Sequence, residues 1–183
     1  MALDLPVQLA AGLSATADFV SRHRDVFNYL APSVLLALLI RFLSAAHPVF
    51  FLFRLAGTIC HEFSHFVVGL LTGARPASFS IIPHRAGNAW QLGSVKLTNV
   101  QWYNAAPAAL APFLIVLIPA AAAIWRTRTG LNFEAIDIAL AFVLAPQFLS
   151  FWPSLADWKI ALLSWPYLIL GVAMWWLAGH ILS

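Results

Sequence analysis

The stretch Arg54-Leu-Ala-Gly57-Thr58-Ile-Cys60-His61-Glu62-Phe-Ser64-His65-Phe-Val-Val-Gly69-Leu-Leu-Thr-Gly73 decides how the chain is read. It is an apolar run without proline, stopped by Gly73 and Pro76 as helices are. Arg54, Thr58, His61 and His65 recur within it at helical spacing, so they form one polar stripe on an otherwise apolar helix. Ionisable groups inside such a helix are costly unless they are paired or functional.

The rest of the chain sets the solvent for that helix. Of its 183 residues 62% are hydrophobic and 9% charged, against about 45–50% and about 25% in soluble domains. The bilayer is the natural solvent for that composition. The net charge of +3 is spread thinly, and no basic run marks a nucleic-acid partner. One cysteine, Cys60, allows no intrachain disulfide and reads as a packing residue. The first residues carry no basic region ahead of an apolar core, so they do not read as a cleaved signal peptide.

Working outward, residues 1–27 form an interfacial segment, and residues 28–183 one membrane-embedded domain. The predicted spans are 28–46, 49–72, 101–125, 134–152 and a Trp-rich fifth at 158–181. The third is about 23 residues, roughly 35 Å of helix, which places Trp102 and Trp125 at opposite interfaces. Pro107, Pro112 and Pro119 interrupt it. Between the second and third spans, Ser78–Ile82 and Gln91–Leu97 are strand-like, with turn chemistry at Pro83 and Arg85–Asn88. The expected fold is an all-α polytopic membrane protein of four to five transmembrane helices, with a small β-hairpin or sheet at the membrane edge over 77–100. If the spans alternate, Arg22, Arg24, Arg75, Arg85, Lys96 and Lys159 share one side and Arg126 and Arg128 the other. The positive-inside rule then puts the β insert in the cytoplasm and the polar motif toward the cytoplasmic half of a multi-pass protein of the cell (inner) membrane.

His61 and His65 lie four apart and share a helix face, so both imidazoles reach one metal ion. Glu62 stands beside the first histidine, placed to take a proton from water on that metal and pass it to a leaving amine. This His-Glu-x-x-His arrangement points to Zn²⁺. A catalytic zinc needs a third protein ligand. The residues after His65 lack the Gly and His of a metzincin, so the ligand lies elsewhere. The candidates are Glu134, Asp137 and Asp157, with His84, His47 and His180. Topology places Glu134 and Asp137 on the outer side, away from the motif. It brings Asp157, just past the Pro153-Ser154 break, to the cytoplasmic side, where we weigh a ligand role above a helix N-cap. Asn104, one turn into the third span, reads equally as a group that holds an oxyanion or substrate backbone and as an interhelical hydrogen bonder. Gly57 and Gly69 read as sites where neighbouring helices approach closely.

The motif in a hydrophobic span, the strand-like insert and the distal Pro153 and Asp157 resemble the site-2 protease family of intramembrane zinc metalloproteases over residues 49–160. The resemblance implies His61, His65 and Asp157 as zinc ligands and Glu62 as the base. It departs from the family pattern at Ser150, where Asn is usual, and at Trp158, where Gly is usual. The implied activity is hydrolysis of peptide bonds within or near transmembrane segments of membrane-anchored protein substrates. The alternatives are a catalytically inactive membrane scaffold and, ranked lower, a metal transporter.

Overall fold

The computed structural model describes residues 5–46, 52–82, 84–86, 89–91 and 93–181. The chain is mostly helical. Helices α1 (Leu5–Arg22), α2 (Arg24–Ala46) and α3 (Leu55–Leu71) come first. Strands β1 (Pro76–Ser80), β2 (His84–Ala86), β3 (Ala89–Gln91) and β4 (Ser94–Leu97) follow. The second half holds α4 (Ala105–Ala109), α5 (Leu117–Thr127), α6 (Ala135–Ser150), α7 (Leu155–Ala161) and α8 (Trp165–Ile181). Helices α4 and α5 are joined by a 3₁₀ stretch at Ala111–Val116, and α7 and α8 by another at Leu162–Ser164.

The β insert forms as the sequence predicts, in finer detail. Its outer pair is antiparallel β1–β4, with Ser78 opposite Lys96 and Phe79 opposite Val95. An inner pair, β2–β3, sets Arg85 opposite Trp90. The turn residues Pro83, Gly87 and Asn88, and the candidate ligand His47, lie outside the described residues.

Two predicted spans differ from expectation. Residues 101–125 do not make one continuous helix but two short helices with a 3₁₀ stretch between them. Pro107, Pro112 and Pro119 account for this, since each removes a backbone donor and crowds the preceding turn. The Trp-rich helix is likewise broken at Leu162–Ser164. Among the described residues one helix, Arg24–Ser44, is long and apolar enough alone to cross a membrane. Ala135–Ser150 and Leu155–Tyr167 qualify together as a pair bent by 56°.

Packing rests on small residues. Tyr29, Ala37 and Ile40 of α2 are buried, Ala37 and Ile40 in a cluster with Ala145 of α6. Ala105, Ala108, Ala109 and Ala111 are buried around the 3₁₀ stretch that α3 crosses. Helices α3 and α6 touch backbone to backbone. A Cβ built on Gly57 would overlap the Pro146 carbonyl oxygen and Ser150 Oγ. Gly57 thus does what the sequence suggests. Gly69 does not face a helix: its open side meets Leu97 of β4. The turn after α3 needs Gly73, at φ 77°, to reverse the chain into β1.

Far from the motif, α2, α5 and α6 are tied by a buried charge pair. Arg126 donates to both oxygens of Asp137 at 2.9 Å, and the Tyr29 hydroxyl donates to the same carboxylate at 2.8 Å. Asp137 also accepts the Glu134 backbone N–H, closing a capping box at the start of α6. Asp137 is therefore structural, in keeping with its exclusion as a zinc ligand.

Candidate metal centre

Helix α3 supplies three of the four residues of interest. His61 and His65 are one helical turn apart, and their Nε2 atoms stand 3.2 Å from each other. Asp157, in the first turn of α7, brings Oδ1 to 3.2 Å from His65 Nε2 and Oδ2 to 3.5 Å from His61 Nε2. The three side chains form a candidate metal-binding group.

Backbone carbonyls fix both imidazoles. His61 Nδ1–H donates to the Ser150 carbonyl at 2.7 Å, and His65 Nδ1–H donates to the Ala108 carbonyl at 2.7 Å. A carbonyl only accepts, so each Nδ1 carries the proton and each Nε2 offers a lone pair. Two lone pairs and a carboxylate then converge with no donor between them. That set is repulsive unless a cation sits at its centre, either a metal ion or a proton carried on one Nε2 and donated to Asp157. Ligands about 2.0–2.1 Å from a tetrahedral zinc stand about 3.3 Å apart, and the observed separations of 3.2, 3.2 and 3.5 Å bracket that value. The donor set fits zinc.

Asp157 caps α7 and also stands within reach of both imidazoles, so its position serves either of the two roles that the sequence sets against each other. Its Oδ2 accepts the Ser154 N–H at 2.6 Å while Ser154 Oγ accepts the Asp157 N–H at 3.2 Å, a capping box that opens α7. The cap holds the carboxylate rigid where it meets the histidines. The break at residues 151–154 that makes this possible is stapled by aromatic rings: Phe113 lies 5.5 Å from Trp152 and 6.2 Å from Trp158, which are themselves 6.2 Å apart. Trp158, where the resemblance expects Gly, belongs to this staple. The Ser150 backbone carbonyl anchors His61, and its small side chain fits against Gly57.

Glu62, His61, His65 and Asp157 line one cavity of about 470 Å³, together with Gly93 and Val95 of the β insert. The Val95 backbone stands beside the Glu62 carboxylate on the cavity wall. A Cβ on Gly93 would stand 2.7 Å from Glu62 Cγ and 3.2 Å from the Ser80 carbonyl, so the strand lies against the glutamate because residue 93 has no side chain. Sequence reading missed Gly93, which carries no motif of its own. It also missed the two anchoring carbonyls, which no side-chain pattern can reveal.

Asn104 is fully buried, and its amide is spent on backbone. Its Oδ1 accepts the Gln101 N–H at 2.7 Å, and its Nδ2 donates to the Asn99 carbonyl at 3.0 Å and the Thr72 carbonyl at 3.4 Å. It does not line the cavity around Glu62. It fixes the turn that starts α4, the helix whose Ala108 carbonyl orients His65. Cys60 turns away from the cluster into a separate apolar cavity with Phe63 and Leu114.

No curated protein and no solved structure matches the chain. A family model described as Peptidase M50B-like matches residues 33–182, a stretch that holds both histidines, Glu62 and Asp157, and the chain therefore belongs to this site-2 protease family of metallopeptidases.

Proposed function

We propose that the protein is an intramembrane zinc endopeptidase that cleaves membrane-anchored proteins within or near their transmembrane segments. The observation that carries this reading is the triangle of His61 Nε2, His65 Nε2 and Asp157, closed to 3.2–3.5 Å with both imidazole tautomers fixed by carbonyls. Zinc held there supplies Lewis-acid chemistry that makes water nucleophilic near neutral pH. The chain's own residues do the rest. His61, His65 and Asp157 hold the ion, and the Ser150 and Ala108 carbonyls keep the rings aimed. The Glu62 carboxylate accepts a proton from the attacking water and delivers it to the amide nitrogen that leaves.

A helical substrate hides its peptide bonds and must unwind before attack. Strand β4 lines the cavity through Ser94, Val95 and Leu97, and it offers an edge on which an unwound segment adds as a further strand. Proline substitutions across Gln91–Leu97 that left cleavage unchanged would remove this part of the reading.

Four to five membrane crossings are part of the proposal: α2, α3, the broken 101–127 segment, α6 with α7, and α8. Large apolar side chains face outward on several of these, such as Phe42 at 72%, Leu71 at 79% and Trp175 at 81% exposed, as a lipid-facing surface requires. The interrupted backbone near Ala109 and Ser154 borders the cavity, the setting in which non-helical backbone is tolerated at membrane depth. The β insert faces the cytoplasm, with the protein in the cell (inner) membrane.

The test is cleavage of a membrane-anchored reporter by the full chain in liposomes. Wild type yields two fragments, and Glu62→Gln lowers the rate by about 10²–10⁴-fold while zinc content is unchanged. Equal product from both proteins would exclude the peptidase reading. An inactive scaffold predicts no product from either.

A further inference from the structure

The cluster is one end of a longer polar cleft. A second cavity, of about 190 Å³, shares Thr58 and His61 with the first and is bounded by Arg54, Leu149, Ser150 and Trp152. Arg54 Nε is buried and makes no hydrogen bond among the described residues. Nor does a described carboxylate answer the charge. Glu134 and Asp137 are taken by Arg126. Asp157 is taken by the histidines. Glu62 faces the first cavity, and Asp18 on α1 and Asp25 at the start of α2 do not line the second. A half-buried guanidinium whose Nε is unpaired, in a cleft lined by Thr58, His61 and Ser150 as well as Leu149 and Trp152, is a donor fork that a bidentate carboxylate fits.

Position gives the distance to the chemistry. Arg54, at the N-cap of α3, precedes His61 by seven residues, or about 10 Å along the axis. An extended peptide advances about 3.3 Å per residue. A side chain over Arg54 thus belongs to a residue about three positions from the bond held at the cluster.

We infer that Arg54 is a specificity residue, which pairs with the carboxylate of a substrate Asp or Glu lying two to four residues from the scissile bond. The inference rests on the peptidase reading and adds to it the chemistry of one substrate position. It predicts that the enzyme prefers an acidic residue near the cleavage point, where an apolar segment meets its flank.

The experiment uses zinc-loaded full-length enzyme in neutral detergent and quenched fluorescent peptides of Leu, Ala and Gly. Each peptide carries one Glu, Gln or Lys, moved position by position across the sequence. At one position two to four residues from the cut, kcat/KM for Glu exceeds that for Gln by about tenfold, mainly through KM. The ratio falls to about one in Arg54→Gln, partly survives in Arg54→Lys and reverses toward Lys peptides in Arg54→Glu. Zinc per chain stays at the wild-type value in each variant, which separates loss of recognition from loss of the site. If wild type cuts Glu, Gln and Lys peptides at rates within twofold of each other at every position, the inference is overturned while the peptidase reading stands. If wild type cuts none of them, the peptidase reading fails, and fluorescence anisotropy of the same peptides on Glu62→Gln decides this one. A Glu preference that Arg54→Gln removes supports it, and equal binding overturns it. A rate that follows the phosphatidylglycerol content of vesicles through Arg54, and not peptide charge, assigns the guanidinium to a lipid phosphate and also overturns it.

Discussion

Replacing Gly57 by alanine should damage the metal centre without touching a ligand. The new Cβ would stand 2.8 Å from the Pro146 carbonyl carbon, against about 3.5 Å for a carbon–carbon contact. Helices α3 and α6 must then separate by at least about 0.7 Å, because the Pro146 carbonyl oxygen and Ser150 Oγ stand closer still. The obstacle is backbone, so no side-chain rotation relieves it. Ser150 moves with α6, and the His61 Nδ1 bond to its carbonyl, now 2.7 Å, stretches toward about 3.4 Å, beyond the range of a good N–H···O bond. Two consequences follow. Overpacking costs about 1–3 kcal/mol of stability. Loss of the group that orients a ligating histidine lowers metal affinity by about 10–100-fold. Competitive zinc titration and thermal unfolding in detergent read both. Gly171→Ala on α8, where a Cβ meets nothing within 4 Å, is the matched control and should leave both unchanged. Zinc affinity within twofold of wild type in Gly57→Ala would refute the claim that contact between α3 and α6 positions His61.

Three further outcomes follow from the same geometry. Asp157→Ala should weaken zinc binding far more than Ser154→Ala, which removes only the cap and costs about 0.5–2 kcal/mol of stability; equal zinc affinities in the two variants would mean that Asp157 acts as a cap alone. Arg126→Ala leaves the Asp137 carboxylate, whose side chain is 3% exposed, buried without its cation and should cost about 3–5 kcal/mol in unfolding experiments. Because that pair lies away from the cavity, the Arg126 variant, while folded, should still bind zinc with wild-type stoichiometry.

The sequence was most legible where a period carries chemistry. The spacing of His61 and His65 on a proline-free apolar run determines their shared face, and the structure keeps it. Asp157 was reachable because few carboxylates compete for the role and Pro153 marks a break before it. The strand-like runs near 78 and 95 pair as their alternation suggests. What escaped was whatever depends on backbone or on distant pairing. The carbonyls of Ser150 and Ala108 have no side-chain signature. The Arg126–Asp137–Tyr29 network joins residues 108 apart in the chain, and no local pattern links them. The third span was read as one helix because its hydrophobicity is continuous, although its prolines outweigh that continuity. Asn104 reads equally as functional or structural because a buried amide in an apolar segment demands partners, and those partners are the Gln101 N–H and Asn99 carbonyl of its own turn and the Thr72 carbonyl at the end of α3. Trp158 looked like a departure from the family and serves as a packing element of the break that aims Asp157.

The most direct test is zinc per chain in the purified protein, measured by atomic absorption for wild type and His65→Ala. About one zinc per chain is expected in the wild type and almost none in the variant. A wild type that takes up no zinc when the metal is supplied would contradict that expectation, because the three groups would then meet only as an imidazolium–carboxylate pair.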